Sequence, residues 1–390
     1  MSVTAILAGR AAARAGVIEN AVVLVEGARI TSIDRADRLP VPAAATVLRC
    51  DVLLPGFIDL HVHGANGHSF GESADAARKV ARSMASAGVT TCYAGLGAGP
   101  SLETIAQTVA YAAGAALQDT GGARIAGVFM EGPFISRERK GAWNADHLRT
   151  PDVSELRELV AASKGRIRRV NVAPELPGAL NFIRAARDAG IAVSIGHSNA
   201  TYEEALAAVT VGASITNHTY NAMSPLDHRS PGLAGATLTC DALLAELILD
   251  HVHVHPAAAA LLVRSRGASG VALITDGSMM SGMPDGTYES SHRTVIVKDG
   301  SARLSNGTLA WSVATFDQGL RHASLLPGIY LPGLALMAST NAARAMGLDS
   351  EVGSIAPGLF ADLALLSSEL EVQATLVRGE VVYERFKVAE

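Results

Sequence analysis

Two periodicities alternate along most of this chain. From residue 57 onward, short apolar runs rich in β-branched residues are each followed by a longer, Ala-rich stretch with helical spacing of its apolar positions. Eight runs stand out: FIDLHVH (57–63), VTTCYAGL (89–96), RIAGVFMEG (124–132), RRVNVAPE (168–175), IAVSIGH (191–197), ASITNHT (213–219), LAELILDHVH (244–253) and VALITDG (271–277). Between them, ADAARKVARSMASAG (74–88), LPGALNFIRAARDAG (176–190), TYEEALAAVTVG (201–212) and HPAAAALLVRSRG (255–267) read as helices, each closing on a glycine. Strands joined by helix-length connections pair in parallel. Eight such units predict an α/β fold, a (β/α)8 barrel of the TIM type, with an open doubly wound sheet as the other architecture.

The flanks follow a different rule. AVVLVEGARITSID (21–34) is two strand-like runs around Glu26-Gly27, and ATVLRCDVLLPG (45–56) is a third. The tail SIAPGLFADLALLSSELEVQATLVRGEVVYERF (354–386) returns to strand patterns, with a turn at Arg378-Gly379. The simplest topology joins 1–56 and 359–390 in one small β-sandwich domain beside a barrel of residues 57–358. Residues 278–312 break the alternation and carry turn signals at Asp299-Gly300 and Asn306-Gly307, so a β-hairpin excursion is expected there. LPGLALMASTNAARAMG (331–347) is a further helix.

Composition narrows the function classes. Of 390 residues, 49% are hydrophobic and 18% charged, enough for a large core and incompatible with disorder. The net charge of −5 and the lack of a basic domain argue against nucleic acid as a partner. The densest basic cluster, Lys164, Arg166, Arg168 and Arg169, reads as a solvated strand edge. Cys50, Cys92 and Cys240 form no pairing pattern, which fits reduced thiols of a cytoplasmic protein. The N-terminus reads as no signal peptide, and no apolar run is long enough to span a bilayer.

The chemistry lies at the carboxyl ends of the eight runs, where a barrel builds its active site. Run one ends in His61 and His63, run three in Glu131, run five in His197, run six in His218 and run eight in Asp276. Run seven leads into Asp250, His251 and His253, and run four ends in Glu175. His61 and His63 share one face of a strand because side chains alternate with period two. Imidazole nitrogens and a carboxylate after a buried strand suit a divalent cation, Zn²⁺ first, with Fe²⁺ or another divalent ion as alternatives and one or two ions per chain. The competing reading is a set of hydrogen-bonded core histidines and a turn-capping Asp276. Amide hydrolysis fits the donor set: a cation acidifies water and polarises a carbonyl, and Asp276 moves the proton to the departing amine. His253 is a candidate donor to the developing oxyanion. Arg229 offers a planar fork suited to a phosphate, although the neighbouring Asp227 allows a plain surface ion pair.

The segments PGFIDLHVHG (55–64), EGPF (131–134), KGAWN (140–144), IGHSNAT (195–201), NHTYNAM (217–223), RSPGLAGA (229–236) and ITDG (274–277) resemble the amidohydrolase superfamily. Within it they are most similar to the N-acetylglucosamine-6-phosphate deacetylases. The resemblance runs to GSIAPGLFADLALL (353–366) and so covers nearly the whole chain. It implies that Glu131, His197 and His218 hold the principal metal, with His61 and His63 matching the pair that adds a second ion in some members. It also implies that Asp276 is the catalytic aspartate, that Asn221 and Ala222 contact the sugar and that Arg229 pairs with the 6-phosphate. His253 matches a histidine near the acetamide carbonyl, and a homodimer is implied by analogy.

Departures from that pattern cluster around the substrate. Trp143 stands where the family usually has a histidine that touches the sugar, and Ala310-Trp311-Ser312 where AGS is usual. Gly277-Ser278-Met279-Met280 replaces an Ala-rich stretch, and Ser290-Ser291 lies where a Gly-Gly is common. Three functions therefore stand at this point. The first is deacetylation of an N-acetylated amino-sugar 6-phosphate. The second is the same chemistry on another N-acyl compound, with Trp143 in the recognition set. The third is a non-catalytic ligand-binding barrel.

Overall fold

The computed structural model describes residues 3–290 and 293–385; Ser291, the second residue of the Ser290-Ser291 position, and the tail from Phe386 lie outside the described residues. All eight expected runs form strands of one parallel sheet. In order around it they are Phe57–Val62, Val89–Leu96, Arg124–Met130, Ile167–Val172, Ala192–Ile195, Ala213–Thr216, Leu244–Ile248 and Val271–Ile274. The sheet closes just beyond its last strand, where Asp276 N–H donates to His61 O at 2.8 Å and His63 N–H to Gly277 O at 2.7 Å. Helices cover the outside. Ala74–Ala85 shows how they are specified: Ser73 accepts the Ala76 N–H at the start, and Ala77, Val80, Ala81 and Met84 fall on one buried stripe. Helix residues and outward-facing strand residues such as Val128, Val170 and Val193 share one apolar cluster.

The two chain ends build a single seven-stranded sheet. Its spatial order is Glu380–Glu384, Val372–Val377, Leu363–Leu366, Thr46–Pro55, Val3–Ala13, Gly16–Glu26 and Arg29–Arg35. The first of these in sequence, Val3–Ala13, falls in the 1–56 region expected to be β-structure, although no apolar run marks it. Arg10 interrupts its apolar alternation at an exposed position, which hides the strand from a search for apolar runs. The sheet folds over on itself: Ala361 N–H donates to Ala28 O at 2.9 Å, and the Arg29 guanidinium lies 4.2 Å above the Phe360 ring. One face gives an inner cluster with Ile6, Val23, Leu53, Leu363 and Leu376. The alternate residues Val52, Leu54 and Leu366 turn to the other face and join the barrel cluster.

The excursion is larger than a hairpin. Gly286–Ser290, Arg293–Lys298, Ser301–Leu304 and Leu309–Ser312 form a four-stranded antiparallel meander. Asp299-Gly300 makes one reversal, with both residues at positive φ, and the second glycine turn at Asn306-Gly307 adds another. Ser312 N–H donates to Asp276 O at 3.0 Å, so the meander is anchored at the barrel mouth. The 331–347 helix is also interrupted, with a π-helical turn over Leu336–Thr340 that lets the Ser339 hydroxyl reach Pro55 O and Gly56 O.

Arg169 corrects the reading of the basic cluster. It points into the barrel and is fully buried, because side chains alternate and Arg166 and Arg168 take the other positions.

Candidate metal centre

The strands deliver their last polar side chains to one point above the barrel axis. Several leave the strand through the left-handed region, with φ of 48° at His197, 24° at His218 and 46° at Asp276. Non-glycine residues hold such φ values only where the surroundings impose them.

Two groups result, one of Glu131, His197 and His218 and one of His61, His63 and Asp276. In the first, Glu131 Oε1 lies 3.0 Å from both His197 Nε2 and His218 Nε2, and the two imidazole nitrogens are 3.1 Å apart. In the second, His61 Nε2 and His63 Nε2 are 3.2 Å apart and lie 3.4 and 3.5 Å from Asp276 Oδ1. Glu131 joins the groups, since its Oε1 is 3.3 Å from His61 Nε2 and its Oε2 is 3.2 Å from His63 Nε2. All six residues are buried.

The donor set fits a cation. His197 Nδ1 is 2.8 Å from Arg139 O, an atom that can only accept, so that nitrogen carries the proton and Nε2 presents a lone pair. His61 Nδ1 stands 3.2 Å from the Glu246 carboxylate, which fixes its tautomer in the same way. Lone pairs and carboxylate oxygens are thus aimed at each other. Donors about 2.0–2.2 Å from a shared ion in a tetrahedral array would sit about 3.4 Å apart, close to the spacings seen here. Asp276 Oδ1 is buried and makes no hydrogen bond among the described residues, as expected of an atom kept for a ligand.

The electrostatics agree. Burial opposes charge on Glu131, but His61 and His197 outweigh it and hold the carboxyl well below its usual range. Asp276 is likewise lowered: burial works against its charge and the field of His61 prevails. Burial would lower His61, yet Asp276 and Glu131 hold it well above its usual value; His63 is pushed up to about 9 against its own burial by Asp276 and Glu131. The pocket attracts positive charge, and a divalent cation is the form of it that six such donors can share.

Behind the six lies a buried network that carries no sequence motif. Arg169 donates to the Glu246 carboxylate, to Asn217 Oδ1 at 2.6 Å and to Leu60 O at 3.1 Å. Glu246 Oε2 receives His61 Nδ1 and, at 3.2 Å, the His218 N–H. Asp59 accepts from Thr275 Oγ1 at 2.6 Å and from the His61 N–H at 3.1 Å, and burial pushes it up to about 7. The signal was a charged residue in the middle of an apolar run, Asp59 in FIDLHV and Glu246 in LAELI. Glu175 holds the loop after the fifth strand, accepting from Ser198 Oγ at 2.7 Å and Asn199 N–H at 2.6 Å.

The expected recognition residues are less concentrated. His253 stands after the seventh strand with Nδ1 2.7 Å from Asp250 Oδ2, which fixes its ring. Asn221 and Ala222 follow His218 in its turn; the Asn221 side chain donates to His218 O and Thr219 O, and Ala222 O accepts the Ser198 N–H. Arg229 is exposed, and Asp227 does not pair with its guanidinium. Asp227 accepts the Arg229 backbone N–H at 3.0 Å and faces His228 at 3.4 Å instead. Trp143 is not a bystander. Its indole N–H donates to Glu131 Oε2 at 3.2 Å, and its ring lies against His63 and Trp311 with centroids 5.9 and 6.0 Å away. Gly97 makes room for it, since a Cβ there would lie 1.8 Å from the indole.

Comparison with known proteins agrees with this geometry. The model of the amidohydrolase family matches residues 52–382. The chain is 35% identical over 335 residues to N-acetylglucosamine-6-phosphate deacetylase of Bacillus subtilis, covering 85% of each protein. It is 36% identical over 343 residues to N-acetylgalactosamine-6-phosphate deacetylase of Escherichia coli, covering 88% of this chain and 90% of that one. A mutant of the Mycobacterium smegmatis N-acetyl-D-glucosamine-6-phosphate deacetylase, solved with N-acetyl-D-glucosamine-6-phosphate, superposes with a TM-score of 0.92 at 31% identity over 98% of this chain and 100% of that one. A barrel with carboxylate and imidazole groups gathered at its mouth, matched end to end by these relatives, places the chain in the amidohydrolase family, among the N-acetylglucosamine-6-phosphate deacetylases.

Proposed function

We propose that this chain is a metal-dependent deacetylase of N-acetylated amino-sugar 6-phosphates, converting N-acetylglucosamine-6-phosphate to glucosamine-6-phosphate and acetate. The observation that carries the reading is the shared carboxylate: Glu131 faces His197 and His218 with one oxygen and His63 with the other. Glu131, His197 and His218 would hold the principal ion, Zn²⁺ by its affinity for imidazole and carboxylate, and His61 and His63 a second. Such an ion supplies Lewis acidity, which acidifies water and polarises an amide carbonyl.

The chain's own groups do the rest. Asp276, kept anionic beside His61, takes a proton from water and passes it to the amide nitrogen, so that a neutral amine leaves. His253, oriented by Asp250, stands as the group beside the carbonyl oxygen. Asn221 and Ala222 line the sugar side, and the Arg229 guanidinium is available for a phosphate. Relatives named for the glucosamine and galactosamine epimers match at similar identity, so the 6-phosphates of both sugars enter the test.

Two further readings accompany this one. The division into 1–56 with 359–390 and a barrel of 57–358 is supported, among the described residues, by the inner cluster of the terminal sheet, which draws in Ile355 from just before the boundary. The three cysteines are unpaired, which suits a cytoplasmic enzyme. The test is acetate release from the 6-phosphates of N-acetylglucosamine and N-acetylgalactosamine, and from the two sugars without phosphate. Turnover of at least one phosphorylated sugar, well above its unphosphorylated form, is expected. No release from any of the four by metal-loaded protein would favour the non-catalytic barrel.

A further inference from the structure

A cavity of about 1040 Å³ opens beside the metal centre, with His63 in its wall. Trp143, Trp311, Leu96, Ile105 and Met279 give it an apolar lining, with the backbone at Gly95, Gly97 and Gly99 completing the wall. Its position in the barrel is informative. Leu96 ends the second strand, with Gly97 just beyond it, and Trp143, a position expected at the sugar, instead follows the third, whereas Asn221, Arg229 and His253 follow the sixth and seventh. In an eight-stranded ring the second and third strands lie across the axis from the sixth and seventh. An amide with its sugar on the Asn221 side and its carbonyl at the metal centre therefore points its acyl group toward this cavity.

We propose that the cavity is an acyl pocket and that this enzyme accepts N-acyl groups longer than acetyl; the proposal rests on the deacetylase reading above. An acetyl methyl group needs only a small part of such a space. The Trp143 N–H is committed to Glu131 and its ring is seated over Gly97, so the indole presents ring surface to the cavity. Trp311 holds φ of 53°, a conformation a bulky residue adopts only when constrained, and it sits one residue before Ser312, whose N–H is bonded to Asp276 O. The meander thus fixes the second indole at the same wall. The reaction is unchanged in balance: water adds across the amide bond, the carboxylic acid carries the longer chain, and the amine leaves with the proton.

The experiment compares kcat/KM of the holoenzyme for N-acetyl-, N-butyryl- and N-hexanoyl-glucosamine 6-phosphate. A hexanoyl rate within tenfold of the acetyl rate is expected. Thr108→Phe, which fills the far wall from the helix Leu102–Ala115, should lower the hexanoyl-to-acetyl ratio at least tenfold, and Trp311→Ala should lower it as well. Acetyl turnover with hexanoyl more than tenfold slower, or ratios that neither variant moves, would overturn the acyl pocket and leave the deacetylase reading standing. No turnover of any of the three would overturn both.

Discussion

Glu246→Gln removes one charge from the buried network and almost nothing else. The native carboxylate takes the Arg169 guanidinium on Oε1 and both His61 Nδ1 and the His218 N–H on Oε2, and Glu246, Arg169 and His61 are all 0% exposed. Glutamine keeps the volume but offers one oxygen and turns an N–H₂ toward donors. Arg169 retains Leu60 O, Asn217 Oδ1 and Ser194 Oγ, which are neutral acceptors and leave its charge uncompensated. Breaking a buried pair from one side costs about 3–5 kcal/mol, and the surviving acceptors place this case near 3 kcal/mol. His61 also loses the group that fixes its ring, so metal affinity should fall about 10–100-fold. Urea unfolding of metal-stripped protein measures the first effect, and a competition titration with a chelator the second. A loss of stability below about 1 kcal/mol with unchanged metal affinity would refute the reasoning. A double variant, Arg169→Met with Glu246→Leu, should lose less than the sum of its singles, because no lone charge is left behind.

Asp276→Asn should keep the ion held by Glu131, His197 and His218 and lower kcat by about 10²–10⁴-fold; a near-wild-type kcat would remove the proton-transfer role. Arg229→Ala should raise KM for a sugar 6-phosphate about tenfold and leave the unphosphorylated sugar unchanged, and equal effects on both would remove the phosphate role. Asp250 is held at about 2: burial opposes its charge, but the hydrogen bond and charge of His253 outweigh it. Its folded value lies below the usual carboxylate range, so this contribution, about 2 kcal/mol, is present above pH 4 and is lost as pH falls toward 2. The stability difference between wild type and Asp250→Asn should therefore shrink across that interval, and a pH-independent difference would contradict the assignment.

How much was legible in the sequence follows from what each signal requires. Eight apolar runs separated by helical stretches were enough for the barrel, because buried parallel strands read as continuous apolar segments. The residues at their carboxyl ends could be named in advance, since the fold itself says which end matters. Val3–Ala13 is masked by Arg10, and the meander reads as a hairpin because only its turns are visible and not the number of strands between them. Arg169, Asp59 and Glu246 were missed for a deeper reason. A charge inside a strand looks like a surface residue until its partner is known, and here the partners come from strands 77 and 216 positions away. Trp143 was visible as a departure, but its bond to Glu131 was not, since the loop that carries it has no regular pattern.

The most direct test of the central claim is anomalous diffraction at the zinc edge from metal-loaded crystals. The account predicts a peak about 2.0–2.2 Å from Glu131 Oε1, His197 Nε2 and His218 Nε2 together. Side chains of these three residues turned apart, with no peak between them in crystals grown with excess zinc, would contradict it.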